Sequence, residues 1–374
     1  HAAVLAERIG DQMLKHLRLY DTCDVVDLSV LSGTAADSVP LESGRPHIGV
    51  MVSLAKSGGF AQIGIRAFNP KTHALYWSAS IAADHSSGFL FSPDQIEEFA
   101  NHAIDAIYFA IMRQFEKSKT LDQGDPRSIF GAVHRVMTMS PNGQHAARDV
   151  LRNSIEETNS AVAMAWYALS LANSLGESAN GSACQEEAEA YCARALQTDP
   201  GNALTLALVA HVQSFVLRRF DVGAELGQAA RRLAPQLAIA WDLGAMNALY
   251  RGDIEEATIQ SNRALGLGSF SPYKPFFQSS QTITASIRGD HETAIRSARM
   301  VLARIPSFLA VERHLCASLA ASGQHHAAMD LMQSVRSRDP NFKKGAVCAP
   351  EYPLPSEQSV AFIQSGFDLV GALT

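Results

Sequence analysis

The sequence predicts an α+β domain at the N-terminus followed by an all-α array of paired helices, an α-solenoid. Three observations carry this. Pro200, Pro235, Pro306 and Pro340 close apolar helical stretches at intervals of 35, 71 and 34 residues, the middle interval holding two units and a small insertion. Small residues fall into the same frame, twelve positions before four of the closing points and five before three. Residues 1–119 lack the frame, and much of them alternates apolar and polar positions between turn-forming residues, the pattern of strands. Three regions follow: 1–119, a helix-pair array over 120–349, and a capping segment with a final helix over 350–374.

The first region begins with Val4, Ile9, Met13, Leu14 and Leu17 on one stripe at helical spacing. Cys23 to Leu28 reads as a short strand. Ile48–Val52, Gln62–Phe68 and Leu75–Ile81 then form a three-stranded meander. Ser57-Gly58-Gly59 and Asn69-Pro70-Lys71-Thr72 supply its turns. Ser92 caps a long helix to Lys117, with Asp94 in its first turn favouring the helix dipole. Ile96, Phe99, Ala103, Ile107, Ala110 and Ile111 line one face of that helix. Lys119 to Asp125 is a linker.

In the array, Arg127–Thr138 and Ala146–Thr158 read as a first helix pair joined by Ser140-Pro141-Asn142-Gly143. Further on, Ala188, Ala257, Ala294 and Ala328 stand twelve residues before the closing positions, Ser269 replacing proline in one unit. Ala195, Ala230 and Ala264 stand five before them. Small side chains there let a paired helix approach. Gly252, Gly289 and Gly323 lie five residues ahead of three of the alanines, where a left-handed residue ends the first helix of a pair. A period near 34 residues with one helix–turn–helix per unit is that of the tetratricopeptide repeat. Trp241 stands four positions into a first helix, and Trp166 is its counterpart in an earlier, looser unit. Pro350 to Pro355 is irregular, and Ser356 to Val370 forms a last helix that covers the exposed end of the stack.

Composition narrows the function. The 374 residues are 47% hydrophobic and 18% charged, with a formal net charge of −6. An isoelectric point near 6.1 argues against a broad basic surface for nucleic acid. The longest apolar run, Ala161 to Ala172 broken by Ser170, falls short of the ~20 residues of a membrane span. The chain begins at His1 with no basic-then-apolar leader pattern, as expected of a piece of a longer protein. Cys23, Cys184, Cys192, Cys316 and Cys348 are scattered and read as reduced apolar residues. Pairing of Cys184 with Cys192 across a loop and a helix stays open.

No spacing marks catalysis. A phosphate-cradling Gly-x-x-x-x-Gly-Lys-Ser/Thr is absent. His291-Glu292 lacks the second histidine of a zinc-protease helix and reads as a solvated helix start. His325 and His326 are adjacent, so on a helix they diverge by about 100° and share no ion easily. Arg251-Gly252-Asp253 and Arg288-Gly289-Asp290 occupy equal repeat positions and are turn chemistry. The chain is therefore read as a non-enzyme with no metal and no cofactor.

Binding is expected on the concave face, lined mostly by first helices. The inward positions include His211, Phe215, Asp242, Met246, Tyr250, Ser279, Ile283 and Arg313. His211, Asp242, Tyr250, Ser279 and Arg313 are the candidate site, opposite charges on an apolar, aromatic surface that suits a peptide or small amphiphile. Phe215, Met246 and Ile283 are expected to serve as inter-repeat core. The segment Ser269 to Phe277 gathers four aromatics in a loop, read as packing, with a contact surface on the α/β domain or part of a ligand pocket between the domains as the alternatives.

Leu75-Tyr76-Trp77 after the Asn-Pro-Lys-Thr turn resembles a segment of the TolB-like α/β domain that precedes TPR repeats in bacterial regulators. Ser271 to Pro275 with Arg288-Gly289-Asp290, and Tyr352 to Pro355 before the last helix, are similar to the irregular repeats of those proteins. Gln278 and Glu312 depart from the pattern, standing where Trp241 stands in its own repeat. The resemblance implies a sensory module of HilA-like or CadC-like transcriptional activators, whose DNA contact is made by a separate winged-helix domain. The same module stands behind class III adenylate or guanylate cyclases, which is the alternative, and a free-standing scaffold is a third. The implied partner is a protein, a peptide or a small effector, on the concave face or at the domain interface, with a homodimer allowed. The HilA-like case places the module in the cytoplasm, which the reduced cysteines favour; the CadC-like case places it in the periplasm.

Overall fold

A computed structural model describes residues 2–20, 48–57, 60–69, 73–84, 92–117, 128–137, 139, 141–177, 182–269, 271–306, 308–338 and 356–371. The expected strand Cys23 to Leu28, the linker Lys119 to Asp125 and the stretch Pro350 to Pro355 lie outside them, as do Cys23, Phe270 and Cys348. Contacts divide the chain into two units, residues 1–131 with 267–272, and residues 132–266 with 273–374.

The first unit is the α+β layer that the change of period predicts. Helix α1 spans Ala2–Leu19, strands β1, β2 and β3 span Gly49–Ser57, Phe60–Phe68 and Leu75–Asp84, and helix α2 spans Pro93–Lys117. The strands form one antiparallel sheet in the order β1-β2-β3, with Val52 facing Ile65 and Ile65 facing Ala79. Ile63, Ile65 and Ala67, two apart on the central strand, bury one face. Ile9, Met13 and Leu17 of α1 are buried, as are Ile96, Phe99, Ala103 and Ile107 of α2. Ser92 caps α2 as expected, accepting from the Gln95 backbone N–H at 3.2 Å. Gln95 reciprocates, its Oε1 accepting from the Ser92 N–H at 2.9 Å, so the start of α2 is a full capping box.

The second unit is a TPR-like stack of helix pairs. Helices α3 (Ser128–Met137) and α4 (Pro141–Thr158) are followed by α5 (Ala161–Glu177) with α6 (Ser182–Thr198) and α7 (Ala203–Phe215) with α8 (Phe220–Leu233). Then come α9 (Ala238–Tyr250) with α10 (Ile254–Leu267), α11 (Lys274–Arg288) with α12 (His291–Leu302), and α13 (Leu309–Ala321) with α14 (His325–Arg338). A final helix, α15 (Glu357–Gly371), packs on α13 and α14. First helices are buried on nearly every side: all thirteen residues of α7 are buried, against three in α8. The seven framed alanines, Ala188, Ala195, Ala230, Ala257, Ala264, Ala294 and Ala328, have no exposed surface at all.

The pair α7–α8 reveals a marker the alanine frame passes over. Twelve residues before Pro235 stands Gly223. A Cβ there would overlap the Ser214 hydroxyl and come within 2.7 Å of the Ala210 carbonyl oxygen, so α8 crosses α7 too closely for alanine. The turn glycines behave as their position requires, with φ of 83° at Gly252, 86° at Gly289 and 75° at Gly323. Asp253 and Asp290, directly after two of them, cap the next helix by accepting from the backbone N–H groups of Glu256 and Thr293. The two Arg-Gly-Asp segments are thus a left-handed stop followed by an N-cap.

Three boundaries differ from expectation. Helix α4 begins at Pro141, so the residues read as its preceding turn form its first turn, where proline lacks no needed N–H. Helix α11 begins at Lys274 with Pro275 in its first turn, so only part of the aromatic segment is loop. Helix α6 begins at Ser182 and carries both Cys184 and Cys192. Eight residues of helix separate them by about 12 Å, beyond the span of a disulfide, and both are free thiols.

Candidate functional site

The first helices α5, α7, α9, α11 and α13 turn so that α13 approaches α5. They line a half-open cavity of about 70 Å³. Its lining takes Ala172 and Asn173 from α5, His211 and Phe215 from α7, Asp242, Leu243, Met246 and Tyr250 from α9, and Phe276, Ser279, Ser280 and Ile283 from α11. Met139, Phe308 and Ala310 complete it. A volume of this size holds one side chain or end group, well below the ~300 Å³ and more that encloses a drug-sized molecule.

Spacing of four on α7 places His211 and Phe215 on one face, and their rings stack at 5.5 Å with an interplanar angle of 8°. Tyr250, at the end of α9, lies 6.0 Å from the His211 ring and 5.9 Å from Phe215. The three rings make an aromatic wall. Spacing of four on α9 brings Asp242, Met246 and Tyr250 to the same cavity, and the same spacing on α11 brings Ser279 and Ile283.

Asp242 is the chemical anomaly of this wall. It is fully buried, and neither carboxyl oxygen closes a hydrogen bond with a protein group. Burial pushes its carboxyl up to about 8, while the nearby Ser280 hydroxyl favours the ionised form a little without the alignment of a hydrogen bond. Burial likewise pushes the His211 imidazole down to about 4, and its Nδ1 has no hydrogen-bond partner. At neutral pH both groups are uncharged. The Ser279 hydroxyl donates to the Phe276 carbonyl at 2.6 Å, so its proton is spent within its own helix.

Of the five candidate residues, His211, Asp242, Tyr250 and Ser279 line one cavity, and Arg313 is not among its lining. Arg313 is buried in α13 between Glu312, whose carboxyl burial raises against the pull of Arg338 and Arg313, and His314, whose imidazole burial and the Arg313 charge push down. Phe215, Met246 and Ile283, expected as inter-repeat core, line the cavity as well as being buried. Asn173 and Ser280 were not singled out from the sequence. Phe276 sits in the aromatic segment that reads as a loop, and Asn173 in the loosest repeat, where the frame gives no inward register.

A larger, polar groove of about 520 Å³ runs along α8, α9 and α10. Most of its groups are already engaged with one another: Arg251 lies 3.9 Å from Asp221, Gln260 donates to Glu256 at 2.6 Å, and Asp253 caps α10. Arg231 rests over the Trp241 ring at 5.6 Å. The smaller cavity has the more apolar lining and gathers four of the candidate residues. Among the described residues no group of three His, Cys, Asp or Glu side chains is placed to hold a metal ion, and no helix is long and apolar enough to cross a membrane.

No family model matches the chain, and no curated protein matches its sequence. Solved structures of repeat proteins are similar to it at low identity. YrrB, a TPR protein with an unusual peptide-binding site, is 15% identical over 53% of this chain and 95% of its own, with a TM-score of 0.34. The APC/C hetero-tetramer Cut9–Hcn1 is 12% identical over 75% of this chain and 63% of that chain, at 0.41. A tetratricopeptide repeat protein from Parabacteroides merdae ATCC 43184 is 10% identical over 64% and 99%, at 0.35. The repeat class of this chain rests on its own helix pairing and period.

Proposed function

We propose that the helical array is a non-catalytic binding module whose concave cavity takes an apolar group of a protein segment or small effector, and that this binding controls the output of a bacterial transcriptional regulator. The observation that supports binding is the convergence of His211, Asp242, Tyr250 and Ser279 from three first helices on one aromatic chamber, with buried polar atoms left unpartnered. A monomer core satisfies such atoms internally in the great majority of cases. The regulatory part of the reading rests on the resemblance of the α/β layer and the irregular repeats, and it places DNA contact in a separate winged-helix domain.

The binding part is tested by filling the chamber from α9 with Met246→Trp. A peptide-array screen against wild type and variant is expected to show peptides captured by the wild type and lost by the variant, with helicity by circular dichroism unchanged. Equal capture by both places binding elsewhere and refutes the cavity. The regulatory part is tested on the intact polypeptide. A winged-helix domain on it supports the reading, and a class III cyclase domain in that place overturns transcription control while leaving the cavity untouched.

A further inference from the structure

The polar atoms of the cavity say more than that something binds. Asp242 has no exposed surface, and both its oxygens lack a protein partner. His211 Nδ1 lacks one too. Both residues line the same chamber, and the rest of that lining is aromatic, aliphatic or small and polar. The titratable groups in it are His211 from α7 and Asp242 and Tyr250 from α9. The lining residues of α5, α11 and α13 add none. An ion carried into this lining leaves its hydration and meets no opposite charge.

Resting on the binding reading above, we propose that the cavity selects an uncharged ligand, an apolar group next to a carboxamide or peptide amide, whose N–H and C=O are held by Asp242 and His211. A protonated carboxyl has one O–H donor and a carbonyl acceptor, the complement of an amide's acceptor and donor. Burial supports that protonation state, since it keeps the Asp242 proton in place up to a pH of about 8. Neutral His211 adds one more acceptor or donor according to its tautomer. The chamber volume matches one inserted side chain or end group. The ionic alternatives, an ammonium ligand facing an ionised Asp242 or a carboxylate facing a charged His211, each require a proton shift against burial.

The test uses the full 374-residue chain and four matched probes: phenylpropionamide, phenylpropylamine, phenylpropionate and propylbenzene. Saturation-transfer NMR at pH 7 ranks their affinities for wild type, Asp242→Asn and Asp242→Leu, with circular dichroism confirming folding. The amide is expected to bind wild type and Asp242→Asn within about threefold of each other, since asparagine also both donates and accepts. Binding to Asp242→Leu is expected to fall by roughly tenfold, the loss of hydrogen bonds worth about 1.4 kcal/mol. Both ionic probes are expected to bind at least tenfold more weakly than the amide. The amine binding tightest, with the advantage lost in Asp242→Asn, overturns the neutral-ligand inference and leaves the cavity reading standing. Propylbenzene matching the amide does the same. If no probe binds, or all bind the Met246→Trp variant equally, the cavity reading itself fails.

Discussion

Replacing Asp242 by asparagine is expected to make this protein more stable at neutral pH and to help much less at pH 5. The carboxyl titrates near its ordinary value of 3.8 when the chain is unfolded and is held at about 8 by burial in the fold. Between those limits the folded chain binds one more proton than the unfolded chain. Stability therefore falls as pH rises through this window, by roughly 1.4 kcal/mol per pH unit. The loss is roughly 1.6 kcal/mol by pH 5 and roughly 4.3 kcal/mol by pH 7. Asparagine fills nearly the same volume and carries no titration, so the variant escapes the loss. The depressed imidazoles of His16, His211 and His314 oppose this slope below their ordinary value, because there the unfolded chain takes up the protons. They are common to both proteins and cancel in the difference. Thermal melts of wild type and variant at pH 5, 6, 7 and 8 measure it directly. At about 2–4 °C per kcal/mol for a unit of this size, the gap in Tm widens from roughly 3–6 °C at pH 5 to roughly 9–17 °C at pH 7. A gap that stays flat with pH, or a variant less stable throughout, means that Asp242 is ionised and partnered, and refutes the argument from burial.

Gly223→Ala forces a methyl group against the Ser214 hydroxyl and the Ala210 backbone, and is expected to cost about 1–3 kcal/mol, read as a lowered Tm. Gly289→Ala has open space around the new methyl but a φ of 86°, so its expected cost of roughly 1–2 kcal/mol is conformational alone and shows as an earlier urea midpoint. Gly10→Ala, inside α1 with nothing within 4 Å of the new methyl, is expected to stabilise by about 0.5–1 kcal/mol, and destabilisation there would contradict the helix assignment.

The repeat was legible because its markers are steric. Ala188, Ala257, Ala294 and Ala328 are small for the same reason in every unit, and spacing alone exposes them. Gly223 obeys the same constraint more severely, yet a frame built on alanine passes over it. Helix starts were less legible. Pro141 and Pro275 look like turn residues until one sees them in a first turn, where no backbone N–H is required of them. The site was legible in register, since positions four apart on α7, α9 and α11 must share a face. What spacing could not supply was the curvature of the stack, which sets how deep each inward position lies. It makes Phe215, Met246 and Ile283 lining as well as packing, and leaves Arg313 out of the lining. Nor could it say that Asp242, expected as a surface charge, sits sealed among aromatic rings.

The approach of α13 to α5 has a mechanical consequence. In an open solenoid each unit touches its immediate neighbours and can fray from either end, so local opening spreads one unit at a time. Here residues from five successive first helices surround one small chamber. A group lodged in it would act as a keystone, bearing on units that are otherwise several steps apart along the stack. Occupancy would then be reported at both ends of the array as slowed amide exchange, without any helix having to move.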